Sequence, residues 1–457
     1  MIIAVRKRYF EFKYGHLRTI PFKLTIKLLT FVTTNLGSEN HAASPPRSDN
    51  RDIMANINDK ESFLNHINGR NSFLKHLILE NCVYDKQFTL ADLSREYDTS
   101  VPTASRIVTD LIDDGFVKEI GKMESSSGRK PVIYGLNPDA GNFVGVDVKR
   151  DHLSVAVTNF MGELCFFKES IKFTLTNTEE SCRRMCDAVR DCLKSSKVDL
   201  SKIRSYGFIF SGRVNCNSGY CFSYFISEDK PIASILENEL GLPVYVENDS
   251  RAIAYAEYMS SESPEKTFLV FNVSWGLGLG MIIDGKLGYG RSGFSGEIGH
   301  FPIFDNKRIC RCGKIGCLET EASGSALHRI VLEEMAAGQP SLLNKKFKAG
   351  EEITLNDILD AADAEDTVVI EAIEKVGSAL GQAIAGMINL FNPGVIVIAG
   401  VLARAHKYLM TPIKGSVNKL ALAIVSSDTS IIVTRLGEKA GAIGASYIAK
   451  VRMLGII

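Results

Sequence analysis

The stretch Cys310-Arg311-Cys312-Gly313-Lys314-Ile315-Gly316-Cys317-Leu318-Glu319, with His300 ten residues before its first cysteine, is the most informative part of this 457-residue chain. Three thiols and an imidazole this densely spaced can fill a tetrahedral zinc shell with no ligand from elsewhere. Gly313 and Gly316 permit the tight turns that aim all three sulfurs at one point. Three buried free cysteines are the alternative, but glycines and charged residues between thiols do not suit a core segment. His300, Cys310, Cys312 and Cys317 are therefore the candidate metal ligands. Four protein ligands leave no open position for a catalytic water, so the zinc is expected to be structural.

Gly296-Glu297-Ile298-Gly299-His300, followed by Cys-x-Cys-Gly-x-x-Gly-Cys-x-Glu, resembles the signature of the ROK family of repressors, open reading frames and sugar kinases. The resemblance implies a two-lobed α/β core of the actin-like and hexokinase-like (ribonuclease H-like) kind, with the ligand cleft between the lobes. It also implies that Glu297, His300 and Glu319 touch sugar hydroxyls, His300 ligating zinc through its other nitrogen. Zinc on one ring nitrogen would fix the orientation of the other, and carboxylates accept from donor hydroxyls.

Composition is that of a globular protein, with 45% hydrophobic and 23% charged residues. Lys plus Arg and Asp plus Glu are both 53, so nucleic-acid binding must come from a local basic patch. Ten cysteines without a secretory framework point to a reducing cytoplasm. Cys182, Met185, Cys186 and Val189 fall on one helical face and read as buried packing rather than a second metal site.

Residues 1–58 form a leader. Its start is basic, the apolar run 28–36 is too short to span a bilayer, and 38–58 is polar and reads as disordered linker. A weak signal-peptide pattern ends at Ala42-Ala43-Ser44, and translation from Met54 is a further alternative. No membrane association is expected.

Residues 60–138 read as a winged helix-turn-helix. Phe73, Leu74, Leu77, Ile78 and Leu79 give the first helix its apolar face. Thr89 caps a second helix over 90–97, and Ser100 a third with Pro102 in its first turn. Ile107, Val108, Leu111 and Ile112 bury the third helix, which ends at Gly115. Strands over 116–122 and 132–136 follow, joined by the flexible basic tip 124–131. Thr103, Ser105 and Arg106 fall on the open face of the third helix, where a recognition helix meets the major groove. Arg129 and Lys130 at the wing tip suit phosphate or minor-groove contacts. Protein docking is the alternative use of such a domain. The Gly128-Arg129-Lys130-Pro131 wing also resembles that of ROK repressors, whereas most ROK kinases lack the domain.

The remainder alternates strands and helices. Strands are expected over 143–148, 153–158, 166–173, 205–209 and 244–247, with helices over 178–195 and 250–259. A second lobe repeats the order, with strands over 267–273, 280–283, 395–399 and 431–433 and helices within 324–388 and 402–419, and a closing helix covers 440–452. The domain assignment is 141–262 plus 440–457 for the first lobe and 263–439 for the second, which carries the zinc loop.

Asn248-Asp249 follows a strand and matches the family's Asn-Asp pair, whose Asp is the base in kinases. Asp249 could accept a proton, hydrogen-bond a sugar, or cap the helix from Ser250. The phosphate side departs from the family pattern. The family's Asp-x-Gly-Gly-Thr reads Asp147-Val148-Lys149-Arg150-Asp151 here, and its Gly-Thr-Gly-x-Gly reads Ser274-Trp275-Gly276-Leu277-Gly278. Ala399-Gly400-Val401 keeps one glycine of the usual pair. Long side chains obstruct the close approach of phosphate to backbone that glycines permit.

A sugar-responsive transcriptional regulator, most simply a homodimeric repressor, fits this asymmetry. A sugar bound by Asn248, Asp249, Glu297, His300 and Glu319 would close the lobes and release an operator DNA. An ATP- and Mg-dependent sugar kinase retaining its DNA-binding domain is one alternative. Control by a regulatory protein partner is another.

Overall fold

The computed structural model describes residues 72–85, 87–123, 130–225, 230–262 and 265–457. The leader and Arg129 lie outside the described residues. The described residues divide into two compact units, one within Met1–Ile78, Gln87–Asp114 and Glu119–Tyr134, the other within Leu79–Lys86, Gly115–Lys118 and Gly135–Ile457.

The smaller unit is built on the helices Ser72–Asp85, Leu90–Glu96 and Val101–Asp113 and a three-stranded sheet. Its strands β1 (Gln87–Phe88), β2 (Val117–Lys122) and β3 (Val132–Leu136) are ordered β1-β3-β2. Thr89 caps the second helix in a capping box with Asp92. Ser100 caps the third, accepting from the Thr103 amide, with Pro102 in the first turn. Ala104, Ile107, Val108 and Leu111 are buried, while Ile112 is only partly so, one position off the expected stripe. Gly115 takes φ +81°, the left-handed turn that ends the helix. Lys75 pairs with Asp114 at 2.9 Å, tying the first helix to the end of the third. Strand β1 is two residues long, too short for any alternation to mark it in the sequence.

The larger unit has two five-stranded sheets of the same topology. The first contains β4 (Asn142–Val148), β5 (His152–Asn159), β6 (Leu164–Lys172), β7 (Ile203–Phe210) and β10 (Val244–Asn248), ordered β10-β7-β4-β5-β6. Between its last two strands lie a short hairpin, β8 (Val214–Asn215) with β9 (Tyr220–Cys221), and the helix Ile232–Leu240. The second sheet contains β11 (Phe268–Val273), β12 (Leu277–Ile283), β13 (Lys286–Leu287), β14 (Val395–Ala399) and β15 (Ser430–Val433), ordered β13-β12-β11-β14-β15. In each sheet an antiparallel meander of three strands is extended by two parallel strands. Parallel strands need crossovers, and the intervening helices supply them while covering the sheet faces.

Each sheet has its own hydrophobic core. On the first, the helix Glu179–Lys194 buries Cys182, Met185, Cys186 and Val189, the stripe expected from the sequence. On the second, the helical stretch resolves into Gly324–Ala336, Asn344–Lys348, Leu355–Asp363 and Thr367–Phe391, the last paired with His406–Leu420. Residues 401–405 are 3-10 rather than the start of that α-helix.

The helices Asp249–Met259 and Ala440–Met453 pack on each other. Asp249–Met259 also lies on β11 and β12, and Ala440–Met453 on β4 and β7, so the pair joins the two sheets. Small residues make this possible. A Cβ on Gly444 would lie 2.1 Å from the Ala252 carbonyl oxygen, and one on Gly145 would lie 1.9 Å from that of Ala442. Asn248 and Asp249 thus stand at the carboxyl end of β10, where open α/β sheets place their ligands. Among the described residues no helix is long and apolar enough to cross a membrane.

Candidate functional site

The donor atoms of His300, Cys310, Cys312 and Cys317 all lie within 4.8 Å of one another. A tetrahedral shell with bonds of about 2.3 Å has edges of about 3.8 Å. Cys310 Sγ lies 3.6 Å from His300 Nδ1 and Cys312 Sγ 3.6 Å from Cys317 Sγ, so the four residues fit a tetrahedral metal ion. The local backbone explains the convergence. Ile309 bridges Ile315, and the Cys310 amide donates to the Lys314 carbonyl at 2.8 Å. Gly313 and Gly316 take φ +82° and +76°, and a Cβ on Gly316 would meet the Phe304 carbonyl oxygen at 2.2 Å. Burial pushes the Cys310 thiol up to about 12, so its thiolate needs a cation beside it.

His300 presents Nδ1 to the sulfurs and Nε2 toward Glu297, whose carboxylate is 3.8 Å away, too far for a hydrogen bond. Gly296 fixes this segment. It takes φ +86°, its carbonyl accepts from the Leu279 amide, and a Cβ there would meet the Leu279 oxygen at 2.0 Å. Glu319, in the short turn Leu318–Thr320, reaches back to β12, where its Oε2 accepts from the Leu277 amide at 3.1 Å. Its Oε1 lies 3.8 Å from Cys310 Sγ.

Across β12 stand Asn248 and Asp249. Asn248, not Asp249, caps the helix, accepting from the Arg251 amide at 3.1 Å and donating to the Gly212 carbonyl at 2.8 Å. Asp249 is free of that role but fully engaged, Oδ2 accepting from Ser211 Oγ at 2.7 Å and Oδ1 from the Ser250 amide at 2.8 Å. Ser250 abuts Gly278, where a Cβ would lie 2.1 Å from Ser250 Oγ. Glu319 thus touches Leu277, and Ser250, the residue after Asp249, abuts Gly278. Sequence reading missed Ser211, whose signal was a serine and glycine directly after a buried strand.

The phosphate side is occupied from within. Lys149 Nζ lies 3.0 Å from Asp147 Oδ2. Burial raises the Asp147 pKa, which Lys149 partly offsets. Burial alone would lower the Lys149 pKa, but Asp147 and Asp249 raise it overall. In the second loop the Ser274 amide donates to the Gly276 carbonyl at 3.1 Å, and Ser274 Oγ accepts from the Val401 amide at 3.4 Å. With Leu277 committed to Glu319, three amides of the glycine-poor loops already have partners. Trp275 is half exposed, its ring 5.4 Å from His328 and under the Arg311 guanidinium at 5.8 Å.

In the smaller unit Arg106 and Lys130 are exposed, while Thr103 and Ser105 are half-buried. Thr103 Oγ1 lies 2.8 Å from Ser100 Oγ, so its hydroxyl is shared with the helix cap.

The xylose repressor of Caldicellulosiruptor bescii is 28% identical over 80% of this chain and 93% of its own. The DNA-binding transcriptional dual regulator NagC of Escherichia coli is 29% identical over 77% of this chain and 86% of its own. The crystal structure of a ROK family transcriptional regulator, a homolog of the E. coli MLC protein, aligns with TM-score 0.70 and 29% identity over 83% of this chain and 97% of that one. A ROK family glucokinase from Streptomyces griseus, in complex with glucose and AMPPNP, aligns with TM-score 0.60 and 26% identity over 68% of this chain and 99% of the kinase. Residues 143–452, most of the chain, match the ROK family, and the protein belongs to it.

Proposed function

We propose that this protein is a sugar-responsive, DNA-binding transcriptional regulator, acting as a repressor. The observation that carries the reading is the asymmetry of the cleft. Carboxylates, an amide and an imidazole face the sugar side, while Lys149 neutralises Asp147 and internal hydrogen bonds occupy the phosphate loops. Similarity to the xylose repressor and NagC supports the same reading, as does the winged helix-turn-helix.

A sugar binds Asn248, Asp249, Glu297, His300 and Glu319. Zinc on His300, Cys310, Cys312 and Cys317 stiffens the segment carrying His300 and Glu319, so metal and sugar binding are coupled. A homodimer in the cytoplasm presents two helices Val101–Asp113 to operator half-sites about one helical turn apart. Arg106 reads or clamps the major groove, with Thr103 and Ser105 beside it. Arg129 and Lys130 hold the backbone. Sugar binding that favours the closed state by about 1–3 kcal/mol suffices to shift DNA occupancy. The two lobes correspond to residues 141–262 with 440–457 and residues 263–439.

One observation favours a second reading, an ATP- and Mg-dependent sugar kinase. Asp249 stands at the end of β10 on a fold like that of the glucokinase, where a general base would stand. Calorimetry with Mg-ATP on the zinc-loaded protein separates the two. The regulator reading expects no detectable binding, and micromolar to low-millimolar binding would put the kinase reading in its place.

A further inference from the structure

Phe222 and Phe294 are 45% and 36% exposed, and their rings meet edge to face at 5.8 Å. Tyr220 stacks on Phe222, with ring centroids 6.2 Å apart and planes 27° from parallel. We propose that these aromatic rings form a second sugar subsite, so that the protein prefers a β-linked disaccharide of pyranoses with equatorial hydroxyls over the corresponding monosaccharide. The proposal rests on the reading of Asn248, Asp249, Glu297, His300 and Glu319 as the site of the first ring.

Placement is the first reason. Asn248 donates to the Gly212 carbonyl at 2.8 Å. A Cβ on Gly212 would lie 2.2 Å from Ser223 Oγ, so the two backbones are in close contact. Arg213, the next residue, donates its amide to Ser223 Oγ at 2.9 Å, and its carbonyl accepts from the Phe222 amide at 2.8 Å. Phe222 is thus fixed to the segment that holds Asn248. Phe294 stands three residues before Glu297, at most about 10 Å along the chain. The turn that carries it is closed by the Ser295 amide, which donates to the Tyr289 carbonyl at 3.3 Å. One ring follows β7 and the other follows β13, so segments from the two sheets meet at the aromatic pair beside candidate sugar residues of both.

Chemistry is the second reason. Large aromatic rings are normally well buried, and a cluster of exposed ones marks a ligand groove or an interface. Small-molecule sites combine such apolar surface with a few convergent polar groups. The carboxylates, amide and imidazole of the candidate cleft supply the polar part, and continuity with them assigns the rings to the same ligand. A pyranose whose hydroxyls are all equatorial shows only axial C–H groups on its faces. Such a face lies on an aromatic ring while the hydroxyl edge stays free for polar partners.

Shape is the third reason. Tyr220 and Phe222 are near parallel and present a flat surface. A β-linked chain of equatorial pyranoses is itself flat and extended, whereas an α-linkage turns the second ring away from the plane of the first.

The test uses calorimetry on the zinc-loaded full chain with cellobiose, xylobiose and diacetylchitobiose, each against its own monosaccharide. At least one disaccharide is expected to bind about tenfold or more tightly than its monosaccharide. Phe222→Ala combined with Phe294→Ala should bring that disaccharide down to the affinity of its monosaccharide. Both rings are exposed, and if the double variant fails to fold the ratios on the wild type still decide. Equal affinities within every pair that binds, or a folded double variant that keeps the advantage of the disaccharide, would overturn the second subsite and leave the first-ring site standing. Binding of none of the six sugars at about 10 mM would overturn the first-ring site and the subsite together.

Discussion

Lys149 sets its ammonium 3.0 Å from the buried carboxylate of Asp147, at the turn where the phosphate loop of a kinase would begin. The other carboxylate oxygen of Asp147 has no partner, and a Cβ on Gly441 would press to 2.2 Å from Oδ2. The site therefore already holds an ion pair, with the backbone of Gly441 close against it.

Removing Lys149 leaves a buried carboxylate uncompensated. Breaking a fully buried pair costs about 3–5 kcal/mol. The Lys149 side chain is 26% exposed, so about 2 kcal/mol is expected for Lys149→Met. Asp147 already titrates above its ordinary value because of burial, and the variant raises it further. The folded state then holds a proton that the unfolded state has released, so stability falls as pH rises from the ordinary carboxylate range through the folded pKa. Denaturant melts at several pH values should show the variant losing stability over this range more steeply than wild type. Parallel pH profiles would mean that the pair contributes nothing.

Cys312→Ser removes one donor from a four-ligand shell. Zinc affinity should drop by at least about a hundredfold, since even outer-sphere changes cost 10–100-fold. Sugar affinity should drop with it, because Glu319 lies 3.8 Å from Cys310 and depends on the same loop. Metal content by mass spectrometry and sugar calorimetry on one preparation check both. Retention of zinc would refute the ligand assignment, and zinc loss with unchanged sugar affinity would refute the coupling.

Asp249→Asn keeps the size of the side chain but replaces one of the two acceptor oxygens that serve the Ser211 hydroxyl and the Ser250 amide with a donor. Sugar affinity should fall by about tenfold or more. Ser211→Ala should have a smaller effect, about one hydrogen bond. Sugar binding unaffected by either would place the sugar elsewhere.

The Cys/His cluster was legible because its four residues are close in sequence and the glycines between them announce the turns. The phosphate side was legible as missing glycines. Glu319 on the Leu277 amide was not, because the contact joins residues 42 apart and depends on how β12 packs. Ser211 was hidden for the same reason, as it meets Asp249 only because β7 and β10 are parallel neighbours. The helix Ile232–Leu240 escaped because it is two turns long and has no side-chain cap. Asn248 rather than Asp249 became the cap because β10 runs one residue further than its apolar pattern suggests.

At the wing, Arg129→Ala with Lys130→Ala should weaken binding to all duplexes alike and lower the slope of log affinity against log salt by about 2. Arg106→Ala should instead relax preference at one base position if it reads guanine. A double wing variant that lost specificity at unchanged salt slope would mean that the wing reads bases.

The most direct measurement selects duplexes from a random DNA pool with the zinc-loaded full chain, then follows the best of them by fluorescence anisotropy across a panel of monosaccharides and sugar phosphates, with no nucleotide present. A sugar-responsive repressor enriches a two-fold-symmetric sequence and releases it with at least one sugar at millimolar concentration or below. Enrichment of no sequence, or a duplex that every sugar leaves bound, would contradict the account.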